Sequence, residues 1–231
     1  MKMNKFTLAC GVAMLGLSSM ATAEITTNIG VTSNYVWRGM TQSANSTSFS
    51  GGLDWSSDMG IYAGTWIADA WDSYEMDLYG GYKGELGDFG YDGGLIYYSY
   101  TTDADSNFGE VYLNGSWKFL SAGLAYVITA EDAVEAVKSD RYYYLGGNYD
   151  LPQDFAIGLT VGYVDPAGDG KDDMDSFTHY QIDLSKSAGE FGDVTLSLSD
   201  TNMDDLKLED GTDVVAEDSN IRFFVSWAKE F

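Results

Sequence analysis

Apolar and polar residues alternate with period two in twelve stretches, roughly 25–38, 47–55, 60–68, 74–84, 90–101, 108–119, 121–130, 141–150, 155–164, 176–186, 192–200 and 219–231. Side chains on a strand point alternately to its two faces, so each stretch reads as a β-strand with one apolar face. The last is the clearest. Ile221, Phe223, Val225, Trp227, Lys229 and Phe231 share one face, and Arg222, Phe224, Ser226, Ala228 and Glu230 share the other. Linkers at 56–59, 85–89, 120, 151–154 and 187–191 are short, whereas 131–140, 165–175 and 201–218 are long. Short turns at one rim and long loops at the other fit an all-β, transmembrane, antiparallel up-and-down barrel. Its expected strand number is about twelve, with ten or fourteen as the neighbouring even counts.

The aromatics sort onto the same scheme. Trp55, Tyr82, Trp117, Phe119, Tyr149, Phe155, Trp227 and Phe231 lie near the short turns, and Trp37, Trp66, Trp71, Tyr98 and Tyr100 near the long loops. They are expected to form the two interfacial girdles of a membrane barrel. Glycine pairs at 51–52, 80–81, 93–94 and 146–147 fall inside strands. There they permit the bending that closes a small barrel, with large neighbouring aromatics covering them.

Residues 1–23 read as a secretory signal peptide: Lys2 and Lys5, a short apolar stretch over 6–17, and the small-x-small site Ala21-Thr22-Ala23. Cleavage after Ala23 leaves 24–231 as the barrel domain and removes Cys10, the only cysteine. That excludes a disulfide framework and Cys-ligated metal. No apolar run long enough for a membrane-spanning helix follows. Export plus a lipid-compatible last strand points to the outer membrane of a Gram-negative bacterium, because a closed barrel satisfies its backbone without helices. The strand ending at Phe231 is expected to be read by the barrel-assembly machinery. Outer-membrane lipid and lipopolysaccharide are the expected surroundings.

Without the leader the chain carries 10 basic and 36 acidic residues, a formal charge of −26. This sign excludes nucleic acid as a partner, and 45% hydrophobic content excludes a disordered acidic chain. Segments 131–140, 165–175 and 200–218, with Asp69, Asp72, Asp103 and Asp105, hold 21 of the 36 acids. They form a negative field at the long-loop rim, which either keeps the loops solvated or concentrates cations. The 165–175 loop places Asp169, Asp172, Asp173 and Asp175 around glycines, a composition suited to weak divalent binding but lacking EF-hand spacing. No cofactor is expected.

Strand parity also nominates side chains for the lumen. Strand 25–38 gives Thr26, Asn28, Thr32, Asn34 and Arg38; 74–84 gives Glu75, Asp77, Tyr79 and Lys83; 108–119 gives Glu110, Tyr112, Asn114, Ser116 and Lys118. The last strand adds Arg222. His179, the only histidine, is expected to face the lumen beside Gln181 and Asp183, away from lipid, so a lipase-type role is not expected of it. Pore-lining candidates are therefore Arg38, Glu75, Asp77, Glu110, Lys118, His179, Asp183 and Arg222. Arg38 is expected to oppose Glu75 or Asp77, as a selectivity residue or as a structural ion pair.

TSNYVWRGMTQS at 32–43, SGGLDW at 50–55, GIYAGTW at 60–66 and DLYGGY at 77–82 resemble the TorF family of proteobacterial porins. The core of the motif is Ser33-Asn34-Tyr35, Arg38-Gly39 and Thr41-Gln42. The resemblance implies an outer-membrane barrel of channel type and names no solute. Together these readings describe a non-enzymatic channel for small solutes with a preference for cations. The competing class is a closed barrel whose acidic loops bind divalent ions or partners without transport.

Overall fold

The structure, a computed structural model, describes residues 23–71, 73–102, 106–131, 138–167, 175–203 and 221–231. The barrel strands are β1 (Glu24–Thr32), β4 (Ser48–Ser56), β5 (Ile61–Ala70), β6 (Ser73–Leu86), β7 (Phe89–Tyr100), β8 (Phe108–Trp117), β9 (Leu120–Ala130), β10 (Arg141–Leu151), β11 (Phe155–Asp165), β12 (Phe177–Ser187), β13 (Asp193–Thr201) and β14 (Arg222–Glu230). Two short strands, β2 (Val36–Trp37) and β3 (Met40–Thr41), form a separate hairpin. Each barrel strand pairs antiparallel with its neighbours in the chain, and β1 pairs with β14 to close a twelve-stranded barrel. The closure continues to the last residue: Phe231 donates its amide to Thr27 O at 2.8 Å and accepts from Thr27 N at 3.2 Å. Among the described residues no helix is long and apolar enough to cross a membrane, and the barrel crosses with strands instead.

Alternation divides the wall as the pattern requires. Leu78, Leu95, Leu145, Leu159, Ile182 and Phe223 point outward and are exposed, while Glu75, Asp77, Asp92, Glu110, Asp183 and Arg222 point inward and are buried. An apolar outer belt around a polar interior is the reverse of a soluble fold and suits a bilayer. The connections on the rim holding Glu24 and Phe231 are short, and those on the other rim are mostly long. One exception is the β5–β6 connection on the long-loop rim, since β5 ends at Ala70 and β6 starts at Ser73.

Two expectations are corrected. Strand 1 ends at Thr32, not at 38, and residues 34–43 turn into the lumen, where they are buried or half-buried. Four of the aromatics expected at the outer girdle, Trp37, Trp66, Tyr98 and Tyr100, also turn inward. Tyr98 and Tyr100 share parity with Asp92, which the barrel buries, and Trp66 packs edge-on against Tyr35 from the inserted segment at 5.6 Å. Trp71, the fifth, is exposed at that rim as expected, and the other exposed aromatics toward it are Phe49, Tyr74, Tyr126, Tyr143, Tyr163, Tyr180 and Phe223. At the short-turn rim Trp55, Tyr82, Trp117, Phe119, Tyr149 and Phe231 are exposed as expected.

Inside the wall, tyrosines lie across glycines of the adjacent strand. Tyr62 covers Gly81, Tyr79 covers Gly64, Tyr112 covers Gly94 and Tyr144 covers Gly123. A Cβ at Gly81 would come within 2.5 Å of the Tyr62 hydroxyl and 2.6 Å of the Gly93 carbonyl oxygen. The glycines are therefore the room in which the rings lie flat, and the rings fill the space left by missing side chains.

Candidate functional site

The inserted segment is built by the residues of its own motif. Asn34 accepts from Thr41 Oγ1 through its Oδ1 at 2.6 Å and donates from Nδ2 to Asn45 Oδ1 at 2.9 Å. The backbone N–H groups of Tyr35 and Gln42 reach Ser43 Oγ at 2.9 Å and Tyr35 O at 2.6 Å. These bonds pinch the segment into the β2–β3 hairpin, in which Val36 pairs with Thr41 and Trp37 with Met40. Its two-residue tip, Arg38-Gly39, has positive φ at both positions, 50° and 85°. That is the backbone of a type I′ hairpin turn, which suits glycine and is rare for arginine.

The tip reaches across the lumen. Arg38 forms two 2.7 Å hydrogen bonds to Glu110 of β8, one from each terminal nitrogen to each carboxylate oxygen. Its guanidinium carbon lies 4.2 Å from the centre of the Trp37 ring and 4.3 Å from that of Tyr142 on β10. Arg222 of β14 donates to Gly39 O at 3.1 Å, and Gly39 lies against His179 of β12. Tyr35 donates to Glu75 of β6 at 2.7 Å. The hairpin is therefore tied to β6, β8 and β14 and spans the long-loop half of the lumen. Met40 adds an apolar contact with a buried cluster of Ala125, Tyr142, Val164, Phe177 and Met203.

Opposite Glu110, the β8–β9 pairing slips. Gly109 faces Thr129 and Glu110 faces Val127, so Ile128 is an extra residue in β9. A bulge at this point re-aims the local wall where Arg38 docks. Tyr98 adds a 3.3 Å hydrogen bond to Glu110. Burial alone would lower the Arg38 pKa, but the adjacent Glu110 outweighs it and the net direction is up. Burial, followed by Glu75, pushes the Tyr35 phenol well above its ordinary range, so it stays a donor.

Toward the short-turn half, the wall carries a second polar tier. Tyr79 donates to Asp54 Oδ1 at 2.5 Å and Tyr62 to Asp92 Oδ1 at 2.5 Å. Tyr62 also pairs with Tyr112, and Tyr144 donates to Asn114 at 3.2 Å. Asp183 accepts from Ser197 Oγ at 2.6 Å and Gln181 Nε2 at 3.0 Å. Away from the rims, the described lumen holds the carboxylates of Asp54, Glu75, Asp77, Asp92, Glu110 and Asp183 against the cations of Arg38, Lys83 and Arg222. By formal charge the balance is negative.

The structure thus places Glu75, Asp77, Glu110, His179, Asp183 and Arg222 on the lumenal wall, with His179 Nε2 2.9 Å from the Tyr142 hydroxyl. Arg38 also lies in the lumen, but on the hairpin and not on a strand. It engages Glu110, not Glu75 or Asp77, because the chain leaves β1 at Thr32 and carries Arg38 inward. Lys118 does not line the lumen. It sits exposed in the β8–β9 turn at φ 56°, with Nζ 4.6 Å from the centre of the Trp117 ring. Asp175 is exposed, while Asp169, Asp172 and Asp173 lie outside the described residues. Asp54 and Asp92 were not among the sequence candidates, although parity marks them, since Asp54 lies between the outward-facing Leu53 and Trp55.

Solved structures share this architecture. The KdgM porin superposes with a TM-score of 0.58 at 12% identity, over 90% of this chain and 98% of that one. A KdgM porin in complex with disordered oligogalacturonate gives 0.56 at 11% identity, over 90% and 97%. The NanC porin gives 0.51 at 13% identity, over 90% and 98%. At these identities the likeness is one of fold. No curated protein matches the sequence. Residues 18–228 match the family described as "Bacterial protein of unknown function (Gcw_chp)", and the chain belongs to that family.

Proposed function

We propose that this protein is a porin-like channel of a Gram-negative outer membrane, admitting small solutes and preferring cations, with the β2–β3 hairpin as its constriction. The observation that carries the reading is the lumen: six carboxyl groups stand against three basic side chains inside a barrel whose outer surface is apolar. Confined between low-dielectric walls, such an excess raises the local concentration of cations. The porin architecture of KdgM and NanC and the likeness of residues 32–82 to TorF-family porins support the channel part of this reading and carry no information on ion preference. Export by a leader cleaved after Ala23, assembly through the strand ending at Phe231, and lipopolysaccharide around the wall complete the proposal. No catalytic role is assigned.

A second reading rests on the apolar contact of Met40 with the Tyr142–Phe177 cluster. If that packing keeps the hairpin seated, the barrel stays shut and acts through acidic outer loops, with divalent ions as their ligands. Planar-bilayer recording of the refolded protein decides between the two. The channel reading expects discrete conductance steps and a reversal potential on the potassium side in a KCl gradient. Anion selectivity would overturn the cation preference, and silence across all conditions would favour the closed barrel.

A further inference from the structure

The contact at the hairpin tip has the form of a recognition site already occupied. Glu110 is 2% exposed and receives Arg38 in a two-pronged arrangement, 2.7 Å on each oxygen. That fork matches a guanidinium and not an ammonium, which offers a point charge without two coplanar donors. The guanidinium carbon also lies over two rings, 4.2 Å from the centre of Trp37 and 4.3 Å from that of Tyr142. Of these components, Glu110, Tyr142 and Tyr98 belong to the barrel wall and stay in place if the hairpin moves. Only Trp37 and the arginine itself belong to the insert.

The occupant is presented by a turn in which arginine takes a left-handed backbone, φ 50°, that non-glycine residues rarely adopt. The hairpin behind it has just two residue pairs, and an isolated two-stranded ribbon of that length is marginal. The insert is therefore held chiefly by what its side chains bind.

We propose that Glu110, Tyr98 and Tyr142 form a guanidinium-binding site in the lumen, that Arg38 fills it as an internal ligand, and that solutes bearing a guanidinium group compete for it. The assignment of such solutes as cargo rests on the channel reading. The site itself does not. A purely structural ion pair between Arg38 and Glu110 would show the same geometry but would ignore free guanidinium.

The test is chemical rescue. Arg38→Ala, refolded in detergent and in bilayers, is titrated with millimolar methylguanidinium chloride, against tetramethylammonium and sodium chloride at equal ionic strength. Methylguanidinium should raise the thermal midpoint saturably and reduce the current through the emptied lumen. Tetramethylammonium should be weaker by about tenfold, and Arg38→Ala with Glu110→Gln should lose the response, because the fork has lost its anionic partner. In the unmodified protein, which needs no variant to fold, methylguanidinium should raise the open fraction by competing with Arg38, and the other two cations should not. Equal responses to all three cations, or a response retained with Glu110→Gln, would overturn the site. Conductance without guanidinium discrimination would also overturn it while leaving the channel reading intact. Saturable, Glu110-dependent stabilisation in a barrel that never conducts would uphold the site and overturn the channel reading.

Discussion

The hydroxyl of Tyr35 donates to Glu75 at 2.7 Å across 40 residues of sequence, joining the near leg of the inserted hairpin to the wall at β6. The other oxygen of Glu75 accepts from Tyr100 at 2.9 Å, so a 2%-exposed carboxylate is held by two phenols. Arg38 ties the tip to β8 in the same manner through Glu110. The hairpin is thus fastened at two points by side chains of its own motif to buried acids of the wall, and each fastening can be cut separately.

Tyr35→Phe removes one fastening and keeps the ring. A hydrogen bond contributes about 0.5–1.5 kcal/mol, and here its loss leaves Glu75 buried with Tyr100 alone. The unfolding midpoint in urea should fall accordingly. If the hairpin sets the constriction, mean single-channel conductance should rise. An unchanged midpoint together with unchanged conductance would show that Tyr35 does not restrain the hairpin.

The tyrosine-on-glycine packing predicts opposite outcomes for two neighbouring glycines. At Gly81 an added methyl meets the Tyr62 hydroxyl at 2.5 Å and a backbone oxygen, Gly93 O, at 2.6 Å, and the backbone cannot yield cheaply. At Gly93 it meets only Leu113 Cδ1 at 3.4 Å and Tyr112 O at 3.5 Å. Gly81→Ala should cost about 1–3 kcal/mol as an overpacked site. Gly93→Ala should be near neutral, read by refolding yield and by the heat needed to unfold the barrel on a gel. Equal stability of the two variants would refute the packing account.

Leu159 and Thr160 are consecutive on β11 and face opposite sides, Leu159 outward at 53% exposure and Thr160 into the lumen. An arginine on the lipid face near mid-membrane costs about 2–4 kcal/mol. Leu159→Arg should therefore impair folding into liposomes far more than Thr160→Arg, while in detergent the gap should narrow. If both arginines were tolerated alike in liposomes, the outer face would not be a bilayer surface.

Alternation made the barrel legible because a strand in a membrane wall must be apolar on one side at every second residue. The observed bounds of β4 through β13 lie within two residues of those read from the pattern. The hairpin was not legible for the same reason. Thr32, Asn34, Val36 and Arg38 keep the period of β1, and Asn34, Tyr35 and Thr41 are buried by mutual hydrogen bonds that periodicity does not register. The Arg-Gly pair at 38–39 was the available sign of a tight turn, since glycine readily accepts the second left-handed position. Lys118 was misplaced for a smaller cause: strand β8 stops at Trp117, and the next residue enters the turn. Which acid would meet Arg38 depended on how far the hairpin reaches across the barrel, a three-dimensional quantity with no trace in strand parity.

The electrostatic proposal separates by salt. The acids that the sequence reading assigns to the long-loop rim would be solvated there, with a field screened over about 10 Å at 0.1 M but about 3 Å at 1 M. The carboxylates of Asp54 and Asp77 lie inside the barrel, and Asp77 Oδ1 is buried with no hydrogen-bond partner among the described residues. Confined between low-dielectric walls, they are screened less than charges on an open surface. Replacing both, Asp54→Asn with Asp77→Asn, removes two of the six lumenal carboxyl groups and leaves the three cations in place. In a KCl gradient the reversal potential should then move from the potassium side toward zero at 0.1 M and at 1 M alike. Replacing the acids at 204–218 with their amides should move it at 0.1 M and leave it nearly unchanged at 1 M. If the lumenal pair lost its effect at 1 M as the rim does, selectivity would reside in the outer field and the wall carboxylates would serve only to hold their tyrosines.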